Sequence, residues 1–349
     1  EGIVIVSPSE KTLARYREIA TEEKKSKRLA AAAAGRPCVT EDGVRISLGT
    51  NINFCEEVPA AVAYHSEFIG LYRTEFDFFR NGSKPDETSL MAGYSEVLKN
   101  AKSMAVTFRT IDVGSDRKMW DGVNSNMATR GLRFCLENQD LFKSQLRALF
   151  RASVKGNARI LLPFVSSVDD LDEALEVIGD VKKELTRHKE PYSPEIPLGV
   201  MIETPAAAQT CDLMASRVDF FCLGTNDLIQ YYLVIDRSDQ SAAHLYNPFH
   251  PAILRCLCQV NTLLQPVGKP VTVCGEMAAD PVSAAVLLGL GFTSLSVSLG
   301  AYPRMRQIMP MLNRGKLREL AGEIVKMEKP AEIESVVRKS IGLRSGQHP

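Results

Sequence analysis

Hydrophobic positions along this chain fall into short, nearly continuous runs separated by stretches with helical spacing. From Gly43 onward eight runs read as strands: VRISLGTNI (44–52), FIGLYR (68–73), MAVTFRTID (104–112), ARILLPFV (158–165), LGVMIE (198–203), DFFCLGT (219–225), VTVCGE (271–276) and LSVSL (295–299). Between most of them the period becomes that of an amphipathic helix, as in FKSQLRALFRAS (142–153) and VDDLDEALEVI (168–178). Asp280-Pro281 opens another helix, PVSAAVLLGLG. Strands this apolar are covered on both faces, which is the habit of parallel sheets flanked by helices. Eight such units over about 300 residues predict an α/β protein, a (β/α)8 TIM barrel, with a doubly wound open sheet as the alternative.

The first forty residues follow a different pattern. Ile3 to Val6 reads as a strand. Ser7 then stands as a helix N-cap, Pro8 at the first helical position and Glu10 three residues after the cap. The predicted helix, 8–34, stops at Gly35, with Pro37 beyond. Its apolar positions are sparse and its middle is charged, so it reads as a linker helix between domains, standing largely apart from the barrel. The chain begins without Met, in strand-like sequence, and so reads as a piece of a longer chain.

Composition narrows the function classes. Lys+Arg and Asp+Glu both number 42, so no basic excess points to nucleic acid or an anionic membrane. No apolar run approaches the length of a membrane span, and the N-terminus has no signal-peptide pattern. Eight cysteines are scattered without a CxxC pair, the habit of free thiols in a reducing cytoplasm. Five histidines, none at ligand spacing to a cysteine, argue against zinc.

The polar residues that interrupt the apolar runs fall at the C-terminal ends of the strands. They are Arg73-Thr74-Glu75, Arg109 with Asp112, Glu203-Thr204-Pro205, Thr225-Asn226-Asp227 and Cys274-Gly275-Glu276. Singly, each has an ordinary reading: a surface ion pair, a helix cap or a small core thiol. Together they would converge, because a barrel gathers its strand ends on one face. Arginine forks suit phosphate and carboxylate. Glu203 and Asp227 offer hard oxygen ligands that suit Mg²⁺. The set implies a small phosphorylated acid as substrate. The thiol at Cys274 is then either a nucleophile or a proton donor to a carbanion or enolate.

GLYRTEF (70–76), FRTIDVG (108–114), GVMIETPAA (199–207), DFFCLGTNDLIQYYLVIDR (219–237), HLYNP (244–248) and VCGEMAAD (273–280) resemble the C-terminal, phosphoenolpyruvate-binding domain of Enzyme I. That family is the phosphoenolpyruvate–protein phosphotransferase of the bacterial sugar phosphotransferase system, and its nitrogen-related paralogue has the same domain. The resemblance covers roughly residues 40 to 310. Residues 1–40 resemble the end of the family's phosphohistidine domain with its linker helix, and 41–349 the barrel that also dimerises. It implies that Arg73, Arg109 and Arg237 bind the phosphate and carboxylate of phosphoenolpyruvate, that Asn226 hydrogen-bonds the substrate, and that Glu203 and Asp227 hold Mg²⁺. Cys274 would protonate the enolate carbon without being strongly acidified, Gly275 would let the backbone turn closely, and Glu276 would orient the thiol. The implied products are pyruvate and a phosphohistidine on an N-terminal domain, which passes the group to a histidine-containing phosphocarrier protein. The implied assembly is a cytoplasmic homodimer. AAVLLGLGF (284–292) and MRQIMPML (305–312) carry enough apolar residues either for a dimer face or for core.

The chain departs from the family pattern in two places. Gly-Ser-Asp-Arg (114–117) stands where the family has Gly-Gly-Asp-Lys. NSNMATR (124–130) keeps only Asn124 and Arg130 of a longer motif, with Arg130 still a candidate phosphate ligand. None of His65, His188, His244, His250 and His348 sits in the Thr-Ser-His setting of the family's phosphate carrier, so all five read as structural or surface residues. Pyruvate phosphate dikinase and phosphoenolpyruvate synthase share the Cys-Gly-Glu motif and form the alternative enzymatic reading. A phosphoenolpyruvate-sensing domain with decayed chemistry is the alternative from another class.

Overall fold

The computed structural model describes residues 5–32, 36–79, 86–113, 129–236, 239 and 241–342. Nine strands form one sheet: β1 (Cys38–Val39), β2 (Arg45–Ile52), β3 (Ile69–Arg73), β4 (Val106–Arg109), β5 (Ala158–Leu162), β6 (Leu198–Ile202), β7 (Phe220–Leu223), β8 (Val271–Val273) and β9 (Ser294–Ser298). From β2 to β9 every neighbour pairs in parallel, and β9 returns to β2 in the register Ser47↔Ser294 through Asn51↔Ser298. The sheet is therefore a closed eight-stranded barrel, as the apolar runs predict. Strand β1 lies outside it, antiparallel to β2.

Strands β4 to β8 are shorter than their apolar runs, because the polar end of each run leaves the sheet. Thr204 shows how: its side chain accepts from the Ala207 N–H at 3.1 Å, capping helix Pro205–Met214 directly after Glu203. Asp280 does the same for Ser283 at 2.8 Å and opens helix Pro281–Gly289. Capping of this kind satisfies N–H groups that the first helical turn leaves without partners. All nine residues of helix Pro281–Gly289 are buried. Met305, Met309 and Leu312 are buried too, and of the 305–312 stretch Pro310 and Met311 stand exposed. Both apolar segments considered for a dimer face are therefore largely barrel packing.

The core has two layers. A large cluster fills the space between strands and helices. A small one, Leu71, Leu161, Met201, Phe220, Cys222 and Cys274, plugs the barrel itself. The guanidinium of Arg159 covers the Phe220 ring at 3.8 Å.

The N-terminal helix runs over Glu10–Ala32, two residues inside each end of the predicted span. Its cap is Ser9, whose hydroxyl accepts from the Thr12 N–H at 3.2 Å, and not Ser7, which has φ 54°. The helix must follow the residue that can take the extended capping conformation. Most described side chains through Thr21 are exposed, yet the helix runs beside helix Tyr302–Ile308, so it is not wholly detached from the barrel. Ile5 and Val6 belong to no strand, and the rest of the strand expected at 3–6 lies outside the described residues, as does Gly35.

Candidate active site

Closure brings the C-terminal strand ends together. Arg73 ends β3 and Arg109 ends β4, aligned as direct partners in the sheet. Glu203 follows β6, Asp227 lies in the first turn of helix Thr225–Leu233 after β7, and Cys274 follows β8. Arg109, Asp112, Glu203, Asp227, Glu75 and Cys274 are all buried. Arg73 and Asn226 are half-buried and Glu276 is exposed, so the site opens to solvent on that side. Arg237 lies outside the described residues, as do 114–128 and with them most of the divergent loop.

Charge organises the interior of the mouth. Arg109 pairs with Glu75 at 3.0 Å and with Asp112 at 3.1 Å. Arg130 grips Asp112 through Nε and Nη2 at 2.9 and 3.0 Å, while Nη1 reaches Asp227 Oδ1 and the Tyr231 hydroxyl, each at 3.2 Å. Its guanidinium also lies 4.0 Å from the centre of the Phe164 ring. Burial alone would depress both arginines, but the surrounding carboxylates raise them: Glu75 and Asp112 for Arg109, Asp112 and Asp227 for Arg130. Both stay charged. Arg73 is shifted the other way, by burial and then by Arg109. It donates to Asn53 Oδ1 at 2.8 Å rather than to a carboxylate.

Glu203 sits at the centre of this arrangement. Its Oε1 accepts from the Phe164 N–H at 2.8 Å, which Phe164 presents by taking a left-handed backbone conformation, φ 53°. A bulky residue in that region is strained, and such strain persists where the surroundings enforce it. Burial pushes the Glu203 carboxyl well above its usual range, and Asp227 and Asp112 push it further, with Arg109 and Arg130 opposing. Four carboxyl groups, of Glu75, Asp112, Glu203 and Asp227, stand beside Arg73, Arg109 and Arg130 among the described residues. That donor set fits a hard divalent cation. The described residues contain no cluster of three or more His, Cys, Asp or Glu able to hold one unaided, so two carboxylates would leave the remaining positions to substrate oxygens and water.

The thiol is held from several sides. The Cys274 Sγ–H points to the Leu223 carbonyl at 3.6 Å. The Cys274 carbonyl accepts from Asn51 Nδ2 at 2.9 Å, and Asn51 Oδ1 accepts from the Ser296 hydroxyl at 2.7 Å. A Cβ on Gly275 would stand 1.9 Å from Thr225 Oγ1 and 2.7 Å from the Thr225 nitrogen, so only glycine lets the turn approach helix Thr225–Leu233. Asn226 and Glu276 lock the two loops together: Asn226 Nδ2 donates to Glu276 Oε1 at 3.2 Å, and the Glu276 N–H donates to Asn226 Oδ1 at 2.7 Å. A hydrogen bond with Cys222 lowers the Cys274 thiol below its ordinary range. Burial opposes this, and Arg109 and Arg73 assist it. Cys222 rises in turn. As a thiol donating to the Leu223 carbonyl, Cys274 carries the proton that a general acid needs.

A family model described as "PEP-utilising enzyme, PEP-binding domain" matches residues 27–314. The chain belongs to this family. Among curated relatives, the phosphoenolpyruvate-protein phosphotransferase of Bacillus sp. (strain S) is 35% identical over 348 residues, 98% of this chain and 60% of that protein. The enzyme of the same name from Geobacillus stearothermophilus gives the same figures. That of Bacillus subtilis (strain 168) is 34% identical over 344 residues, 97% of the chain and 60% of the relative. The chain thus spans about 60% of the length of these relatives.

The structure brings together Arg73, Arg109, Arg130, Asn226, Glu203, Asp227 and Cys274 on one face of the barrel. Sequence reading passed over Cys222, Phe164, Tyr231 and Asn51. Cys222 sits inside an apolar run where a thiol reads as core. The roles of the other three come from contacts between distant segments, 223 residues apart for Asn51 and Cys274. Glu75 and Asp112 were visible as strand-end acids, but their service to Arg109 was not.

Proposed function

We propose that the chain is the phosphoenolpyruvate-cleaving half of a phosphoenolpyruvate–protein phosphotransferase. The carrying observation is the gathering of Arg73, Arg109 and Arg130, the carboxylates Glu203 and Asp227, and the buried Cys274 thiol at one barrel mouth. Arg73 and Arg109, adjacent on β3 and β4, take the phosphate and carboxylate through charge-assisted hydrogen bonds. Arg237 joins them by its place in the family motif. Asn226 and the uncapped first turn of helix Thr225–Leu233 add donors to the anion. Glu203 and Asp227 hold Mg²⁺, which supplies charge neutralisation for the transferring phosphoryl group. Arg130 gives up its contact with Asp227 and turns to the phosphate.

In the reaction the P–O bond to the enol oxygen breaks and a P–N bond forms to a histidine on an N-terminal domain. The enolate left behind takes the Cys274 proton at its methylene carbon and becomes pyruvate, and the thiolate recovers a proton from solvent. Arg109 and Arg73 hold that thiolate until it does. The phosphohistidine then serves a histidine-containing phosphocarrier protein in the cytoplasm. Residues 1–40 link the two domains, and 41–349 form the barrel and the homodimer contact. Among the described residues no helix is long and apolar enough to cross a membrane.

The test supplies the chain with the separately produced histidine-bearing domain of a relative and with ³²P-labelled phosphoenolpyruvate. Label on that domain and pyruvate in equal amounts support the proposal. Pyruvate released without label transfer, or neither product, would refute it.

A further inference from the structure

We infer that the opposite, N-terminal face of the barrel carries a second site, for a small phosphate monoester. It does not rest on the reading of the mouth. A cavity of about 380 Å³ lies there, between the N-terminal ends of β8 and β9 and the helices Pro251–Leu264 and Arg314–Ile324. Its volume is at the small end for ligand pockets, which run from about 300 to 1,000 Å³.

The lining carries charge that the protein does not neutralise. Lys269 and Arg314 both face this cavity, and neither has a carboxylate partner among the described residues. Arg314 Nε is buried and makes no hydrogen bond. Two acids reach this helix start: Glu41 accepts from Asn313 Nδ2 at 3.2 Å, and Asp42 is engaged by other donors. The Asp42 oxygens accept from the Thr40 hydroxyl at 2.7 Å and from the N–H groups of Arg314 and Gly315, both at 2.9 Å. Asn313 takes the Lys316 N–H at 3.1 Å. The helix terminus therefore has no N–H group left for a ligand in this turn, and an anion here is held by side chains.

The remaining walls define the ligand. The Asn261 amide packs on Gly291, whose φ is +110°. Its Nδ2 stands 2.9 Å from where a Cβ would be, so glycine is what lets the amide lie there. Thr293 contributes a hydroxyl, and Leu264 and Phe292 an apolar wall. Two uncompensated cations match a dianion. An arginine fork beside a lysine point charge is a usual phosphate grip, with an amide and a hydroxyl as supplementary donors. The apolar wall accepts a short carbon body.

The experiment is calorimetric titration of the chain with glycerol 3-phosphate, and separately with inorganic phosphate. The proteins are the wild type, Lys269→Gln, Arg314→Gln and Arg109→Gln. We expect glycerol 3-phosphate to bind, to weaken at least tenfold in Lys269→Gln and in Arg314→Gln, and to keep that component in Arg109→Gln, which disables the mouth. Inorganic phosphate should bind more weakly than the monoester. Lys269→Gln alters a loop residue and keeps the test valid if Arg314→Gln fails to fold. Binding unchanged in Lys269→Gln, binding abolished only by Arg109→Gln, no binding in the wild type at tens of millimolar, or equal affinity for inorganic phosphate would each overturn the proposal.

Discussion

Arg130 and Asp112 form a two-pronged ion pair, with parallel hydrogen bonds of 2.9 and 3.0 Å. The pair is fixed below by the Phe164 ring and leaves one guanidinium nitrogen over to reach Asp227 at 3.2 Å. Arg130 is thus the hinge between the acids that order the mouth and the acid proposed to hold the metal. Replacing it leaves two buried carboxylates short of positive charge. Arg130→Met should lower stability by about 3 kcal/mol, the usual scale for removing one partner of a buried pair. Chemical denaturation would check it; a loss under about 1 kcal/mol would mean the pair is solvated.

Gly275 is a second point of strict geometry. Gly275→Ala places a methyl group against the Thr225 backbone, which cannot rotate aside. Either the turn shifts, carrying Cys274 with it, or helix Thr225–Leu233 does. The variant should fold with a cost of about 1 to 3 kcal/mol and show a large fall in phosphoryl transfer. Full transfer would show that the turn has room that the structure does not show.

Cys222 and Cys274 should separate cleanly. Cys274→Ala should still bind phosphoenolpyruvate but slow transfer by about 10² to 10⁴, the usual scale for losing a general acid. Cys222→Ala removes the first cause of Cys274's lowered titration and leaves burial as the larger influence. Reaction of Cys274 with iodoacetamide should then shift to higher pH than in the wild type. An unshifted profile would assign the acidity to Arg109 and Arg73 instead.

Asp42 gives a pH dependence of stability. Hydrogen bonds from Thr40, then from the N–H groups of Arg314 and Gly315, hold its carboxyl down at about 2 against an ordinary 3.8. A depressed acid contributes stability that is present above its unfolded value and lost as pH falls through the folded one. Asp42→Asn should therefore melt lower than the wild type at pH 5, and the gap should close between about pH 4 and pH 2. A constant gap across that range would exclude the carboxylate as its cause.

The barrel was legible because its strands are apolar on both faces, and that pattern has few other solutions. The site was legible because polar residues at strand ends interrupt those runs; Arg73, Glu203 and Cys274 each break an apolar sequence at the point where the chain leaves the sheet. What the sequence concealed depends on three-dimensional neighbours. No local signal ties Asn51 to the Cys274 carbonyl or makes Phe164 adopt φ 53° to serve Glu203. Capping by Ser9 in place of Ser7 was hidden for a smaller reason: two serines two residues apart offer the same oxygen, and backbone conformation decides between them. Apolar helix content left two readings open. Residues 284–292 suited a dimer face or the core, and their all-round apolar character is what burial beneath helix Arg314–Ile324 requires.

In the proposed function the barrel mouth binds phosphoenolpyruvate through its arginines and a Mg²⁺ held by Glu203 and Asp227. The most direct test of this is titration of phosphoenolpyruvate onto the chain with and without Mg²⁺, in the wild type and in Asp227→Asn. Mg²⁺ should strengthen binding at least tenfold in the wild type, and that dependence should be lost in Asp227→Asn with the fold intact by circular dichroism. Binding indifferent to Mg²⁺ in the wild type, or an undiminished Mg²⁺ effect in Asp227→Asn, would contradict it.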